Sequence, residues 1–226
     1  MLLAMLLANM ARRRELMNGK FVTVLVLVAA LSLTLASVAF AQAEGGQDTE
    51  KFKAKLTELN DSGAKGIARL SLEEDELTTK INSRGFSANL PHAQHIHGEE
   101  EAKNECPPAT ADDDGDGLVS TVEGLPFYGP IRVSFTTEGD TSPASALALD
   151  RFPVANPGGS FRYKEAFEIP SEVAANLGEL HIVQHGVDLN GNGVYDGPIS
   201  ALGVPLEAEL PATCGVIEPM AQGLHK

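Results

Sequence analysis

Apolar and polar residues alternate with a period of two along most of the chain beyond residue 50. Phe52, Ala54 and Leu56 alternate with Lys53, Lys55 and Thr57, so one face of an extended segment is apolar and the other is wet. After Ser62-Gly63 the pattern resumes, with Ala68, Leu70 and Leu72 set against Ile67, Arg69 and Ser71. Leu77–Ile81, Ala93–His97, Ile131–Phe135, Phe161–Tyr163, Leu180–Gln184 and Leu206–Leu210 continue it, which predicts about eight short strands. Gly and Pro break the chain between these segments, and no long stretch has the 3.6-residue period of an amphipathic helix. Only Ser171–Asn176, after Pro170 and before Gly178, predicts a helical turn, with Ser171 as its N-cap. The expected fold is all-β, a Greek-key sandwich or barrel, with residues 51–220 as one domain and residues 42–50 as a disordered polar leader.

The first forty residues follow a different rule. Arg12, Arg13, Arg14 and Lys20 precede an apolar run from Phe21 to Phe40, and Ala39-Phe40-Ala41 is a small-x-small cleavage pattern. Residues 1–41 therefore read as an export signal cut after Ala41, the alternative being an uncleaved anchor. Met17 is an alternative start, and Arg13-Arg14 suggests twin-arginine export beside the general route. The expected location is secreted, extracellular or cell-envelope.

Cleavage changes the charge. It removes four basic residues from 17 and one acid, Glu15, from 31, leaving 13 basic against 30 acidic and a net charge of −17. A field of that sign repels phosphate backbones and anionic lipid and attracts cations, so metal ions are the expected partners rather than nucleic acid or membrane. Export also decides how Cys106 and Cys214 are read. They are the two cysteines of the chain, and outside the reducing cytosol such a pair is a bridge rather than a redox couple.

Two sets of residues carry metal chemistry. His95 and His97 lie two apart on a predicted strand and so share a face, and His181 and His185, four apart, share a face of another. If those strands meet, three or four imidazoles converge in a way that suits copper or zinc, with His92 nearby; the alternative is a set of hydrogen-bonded histidines at strand ends. Separately, Asp112-Asp113-Asp114-Gly115-Asp116-Gly117-Leu118-Val119-Ser120-Thr121-Val122-Glu123 fits the twelve-residue calcium loop. It offers carboxylates at Asp112, Asp114 and Asp116, the Leu118 carbonyl, Ser120 through water and Glu123 at position twelve. Prolines before it and Gly124-Leu125-Pro126 after it predict no flanking helices. A second loop with Asp188, Asn190, Asn192 and Asp196 has the same opening but no acid at position twelve. No G-x-S-x-G elbow or H-E-x-x-H motif supports a hydrolase.

The pieces Leu90-Pro91-His92-x-x-His95-x-His97, Ile182-Val183-Gln184-His185 and Ala212-Thr213-Cys214-Gly215-Val216-Ile217 resemble, in the same order, parts of the copper/zinc superoxide dismutase family. The resemblance spans roughly Phe52 to Ile217. It implies an eight-stranded Greek-key barrel, copper at His95, His97 and His185 with His92 or His181 as a further ligand, and a bridge from Cys106 to Cys214. The chain departs from that family in two places. No histidine lies between His97 and His181, so the bridging and zinc histidines have no counterpart, and the position of the anion-guiding arginine is Pro211. The resemblance therefore implies a reduced copper site with weak dismutase activity at most. Residues Phe52–Gly98, with Ser62-Gly63-Ala64-Lys65-Gly66, also resemble chordin-type (CHRD) domains, which implies instead a non-catalytic calcium-binding or structural module.

Overall fold

The computed structural model describes residues 49–98 and 101–221. The expected signal and cleavage site lie outside them, as does the leader except for Thr49 and Glu50. A compact unit begins at Asp48, and every element below belongs to it. Eight strands form: β1 (Glu50–Glu58), β2 (Lys65–Glu73), β3 (Glu76–Arg84), β4 (Gln94–His97), β5 (Ile131–Ser134), β6 (Ser160–Glu168), β7 (His181–His185) and β8 (Pro211–Pro219). They make one curled antiparallel sheet in the order β5-β4-β7-β8-β1-β2-β3-β6. β1, β2 and β3 pair as successive hairpins, β4 with β5 and β7 with β8 pair across long connections, and β3 with β6, β4 with β7 and β1 with β8 are the crossovers, which is Greek-key wiring. The two edges, β5 and β6, approach where Tyr163 Oη donates to the Thr136 carbonyl at 3.1 Å. The expected all-β Greek-key class is the observed one.

The alternation read from the sequence determines which side chains point inward. Phe52, Ala54 and Leu56 of β1, Ala68, Leu70 and Leu72 of β2, and Leu77 and Ile81 of β3 enter a common core with Ile96, Val133, Ile182 and Ile217. Full burial of each large side chain contributes about 1.5–3 kcal/mol. At one end of this interior sits a polar knot. Gln184 Nε2 donates to Gln94 Oε1 at 3.0 Å and to Ser83 Oγ at 2.9 Å, and its Oε1 accepts from Thr213 Oγ1 at 3.1 Å. Four strands meet on that one amide, and the Gln94, Gln184 and Thr213 side chains are fully buried.

Several expectations are corrected. Leu206–Leu210, expected as a strand, is the short helix α3 (Leu206–Glu209). Its apolar-acidic alternation fits either state, and Pro205 with Pro211 leaves a single turn in which Glu207 and Glu209 both become buried. The acidic loop does lead into a helix, α1 (Thr121–Tyr128). Ser120 and Glu123 form a reciprocal capping box there, which starts the helix strongly enough to carry Pro126 within it. In the turn α2 (Ser171–Ala175) the N-cap is Pro170, and Ser171 Oγ instead donates to Asp75 at 2.8 Å. Glu50, placed in the leader, already pairs with Leu72. The final strand β8 did not register as a strand in the alternation.

Among the described residues no helix is long and apolar enough to cross a membrane. Cys106 and Cys214 are joined, with Cα atoms 5.8 Å apart. The bridge packs with Val183 and Tyr128, and so pins the segment that carries the acidic loop to the sheet.

Candidate metal centre

His95 and His97 leave β4 on the face opposite Ile96, which enters the core. β7 runs antiparallel beside β4, with Gln94 opposite Gln184 and His97 opposite His181. The pairing continues regularly to its end, where the His185 N–H donates to the Ala93 carbonyl at 2.8 Å, so His185 shares the face of His95 and His97; the register irregularity at Gln184/His185 lies on the β8 side. The His185 ring consequently lies 5.2 Å from that of His95 and 5.9 Å from that of His97, centroid to centroid. One nitrogen from each of the three rings falls within 4.8 Å of the other two. Helices α1 and α3 and the loops between strands cover this outer face, so none of the three is more than 3 % exposed.

Backbone carbonyls fix which nitrogens are free. His97 Nδ1 lies 2.8 Å from the Gly129 carbonyl, His185 Nδ1 2.7 Å from that of Glu209, and His95 Nε2 3.2 Å from that of Ala146. A carbonyl only accepts, so each of these nitrogens carries the proton. The remaining lone pairs, on His95 Nδ1, His97 Nε2 and His185 Nε2, are buried and have no hydrogen-bond partner. Gly129 closes α1, Ala146 ends the turn Pro143–Ser145, and Glu209 ends α3. Three separate elements thus each orient one ring, the arrangement by which outer partners set metal-ligating imidazoles.

Burial also keeps the rings uncharged. It holds His97 down to about 3, helped by repulsion from His185 and opposed by the Gly129 bond. It holds His185 down to about 4 against its bond to Glu209. His95 is pushed well below the ordinary histidine range by burial and then by its two neighbours. Neutral imidazoles are the form a metal binds. Three orphaned buried acceptors are costly on their own, and a metal ion is a partner that such nitrogens accept. The group can hold a metal.

His92 and His181 are not in the group. His92 packs between Phe86 and Phe161, with ring centroids 4.6 and 5.6 Å away. Both its nitrogens are engaged, Nε2 with the Ser87 carbonyl and Nδ1 with the His185 carbonyl, each at 3.0 Å. His181 is buried beside the Asn104 backbone and Glu105.

A cavity of about 350 Å³ opens over the three rings, walled by Leu125, Ile131, Leu147, Leu149, Leu202 and Val204 among others. No lining residue is cationic, and the one carboxylate is Glu209. Burial raises the Glu209 carboxyl, although it accepts the Thr121 N–H at 3.2 Å.

The acidic loops lie outside this cavity. Asp112, Asp114 and Asp116 bring carboxylate oxygens within 4.8 Å of one another. Asp112 accepts from Gly115 and Gly117 at 2.7 and 2.9 Å, Asp114 from Asp116 at 3.1 Å, and Asp116 from Leu118 at 2.8 Å. Glu123 stands apart from that trio. It accepts Asp113 N–H at 2.9 Å on one oxygen and Ser120 N–H at 2.8 Å on the other, tying the second loop position to the ninth. Burial pushes Glu123 up, but the bonds from Ser120, Asp113 and Asp114 together hold it below the ordinary carboxylate range.

The second loop repeats the design. Asp188 accepts from Gly191 and Gly193 at 2.7 and 2.8 Å, and Asp196 receives the amides of Asn190 and Asn192 at 3.0 and 2.7 Å. Its missing acid comes from α3: Glu207 accepts Leu189 N–H at 3.0 Å and Asp196 N–H at 2.9 Å. Those are again the second and ninth positions. Glu207 lies too far along the chain for any spacing rule to mark it. Neither protein-family models nor curated proteins returned a match to this sequence.

Proposed function

We propose that the protein is an exported copper-binding protein on a dismutase-like Greek-key barrel, with two calcium-type loops beside the site and weak dismutase activity at most. One observation carries the reading: three buried imidazoles bring one nitrogen each within 4.8 Å of the others, and each ring has one nitrogen with no hydrogen-bond partner. An all-imidazole set suits copper or zinc, and copper stands above zinc in the general affinity order. The resemblance of the segments around His95, His97 and His185 to the dismutase family supports copper. Held by those three nitrogens, copper would supply one-electron chemistry at the floor of the cavity.

Weak turnover of superoxide follows from the cavity. Its apolar wall has no cation, Pro211 stands where an anion guide is expected, and the mature chain is strongly acidic. The same wall favours a second reading, a chordin-like module in which the metal serves stability alone. For the loops, Asp112, Asp114, Asp116, the Leu118 carbonyl, Ser120 and Glu123 would hold one calcium ion, and Asp188, Asn190, Asn192, Asp196 and Glu207 another. The disulfide supports export.

Titration with copper followed by electron paramagnetic resonance tests the centre. One copper per chain in a nitrogen-rich environment is expected, lost in His95→Ala and in His185→Ala. A spectrum unchanged by both substitutions removes the site. A superoxide-consumption assay on the copper-loaded protein then separates the two readings.

A further inference from the structure

The cationic residues of this acidic chain are not scattered. β1, β2, β3 and β6 are adjacent in the sheet, and the registers place Lys53 opposite Arg69, Arg69 opposite Lys80, and Lys80 opposite Lys164. Four cations thus stand in one row across four strands, about 14 Å from end to end at the usual strand spacing. The next row along the strands adds Lys55 and Arg162, the one beyond it Lys65 and Arg84, and Lys51 stands on the other side. All are exposed. Nine of the thirteen basic residues beyond Ala41 share this face. Like charges directly opposite on neighbouring strands destabilise a sheet, and within the row one of the four, Lys53, is paired with an acid, Glu218 at 3.3 Å.

The face also has a notch. It is a cleft of about 430 Å³ ringed by Lys55, Lys65, Arg69 and Arg84, and it exposes Ile67. At the far end of the strands the charge reverses abruptly. Glu73, Glu76 and Glu168 occupy a complete cross-strand row of their own.

We propose that this face binds a linear acidic polysaccharide, its sulfate or carboxylate groups lying along the Lys53–Lys164 row and one of them entering the cleft between Lys55, Lys65, Arg69 and Arg84. A flat anionic bilayer pressed on the face would meet the Glu73, Glu76 and Glu168 row, whereas a narrow chain lies beside it. Single-stranded nucleic acid gains its hold from aromatic stacking, and no outward residue of the four strands is aromatic. The disulfide fits a compartment where such polysaccharides occur. The chain's overall negative charge does not oppose this, because at about 0.1 M salt fields beyond roughly 10 Å are screened.

The test is fluorescence anisotropy with a labelled dextran sulfate oligomer in about 0.1 M salt, with EDTA present so that calcium cannot bridge. Saturable binding that weakens steeply with salt is expected. Arg69→Glu with Lys80→Glu should weaken it at least tenfold, Arg69→Gln with Lys80→Gln by less, and Lys103→Gln, an exposed cation off this face, should leave it unchanged. The two double variants should melt no lower than the parent. No saturable binding, or binding indifferent to both pairs of substitutions, overturns the proposal. Equal affinity for single-stranded DNA of matched charge, or for phosphatidylserine vesicles, overturns the choice of a polysaccharide.

Discussion

The histidine centre and the acidic loops are both candidate cation sites, yet they are built on opposite plans. In the loops nearly every acidic side chain already accepts a backbone N–H, as Asp112 does from Gly115 and Gly117, so the loop holds its shape through its own bonds. In the histidine centre the protein has spent its hydrogen bonds on the outward nitrogens and left the inward three bare. The first is a surface structure that an ion would tighten. The second is a buried set of acceptors that the fold itself leaves unpartnered, and there the larger response to a metal is expected.

The sharpest break of that contrast is a ligand deletion. His185→Ala should weaken copper binding by well over the roughly 100-fold typical of losing an outer partner, measured by calorimetry, while Asp112→Asn leaves it within twofold. Equal losses from the two substitutions would mean that the regions are not separate sites. Next in size is the bridge that ties the acidic-loop segment to the sheet. Cys106→Ser should cost about 2–5 kcal/mol in denaturant unfolding, and a cost near zero would mean that the segment is held by packing alone.

Calcium should act more modestly. At a free concentration a hundred times its dissociation constant it should add about 2.7 kcal/mol of stability for one site, read as a rise in melting temperature reversed by chelation. Glu123→Gln should remove the first loop's share and Glu207→Gln the second's. No shift with calcium in the parent would leave the loops as self-satisfied turns.

The metal-free centre also responds to pH. His95, His97 and His185 have their pKa values lowered by folding, so the unfolded chain binds protons more readily than the native one as pH falls below the ordinary value of 6.5. The metal-free protein should therefore lose stability progressively from about pH 6.5 down toward pH 4. His97→Gln should flatten that slope. A slope unchanged by the substitution would place the titration elsewhere.

Much of this was legible in the residues. Period-two alternation marked seven of the strands, because inward and outward positions on a sheet differ in polarity. It also put His95 and His97 on one face. What it could not supply was register: the convergence of His185 depends on β7 lying beside β4 with Gln184 opposite Gln94, and the cationic row depends on pairings across four strands. The carbonyls of Gly129, Ala146 and Glu209, which decide the free nitrogens, belong to the backbone and leave no trace in side-chain identity. Helix α1 was hidden for another reason. Ser120-x-x-Glu123 is a capping box in plain sight, but Glu123 also completes a calcium motif, and one residue answered both patterns. Glu207 was invisible because it reaches its loop from a different element.

The amide of Gln184 gives the barrel a means of checking its own assembly. It touches Ser83, Gln94 and Thr213 at once, and the next residue in the chain is His185. A slip of β7 past β4 that stranded this amide would also carry the third imidazole out of reach of the other two. Bringing the three imidazoles together therefore requires correct strand alignment, and a misthreaded chain would lack the group.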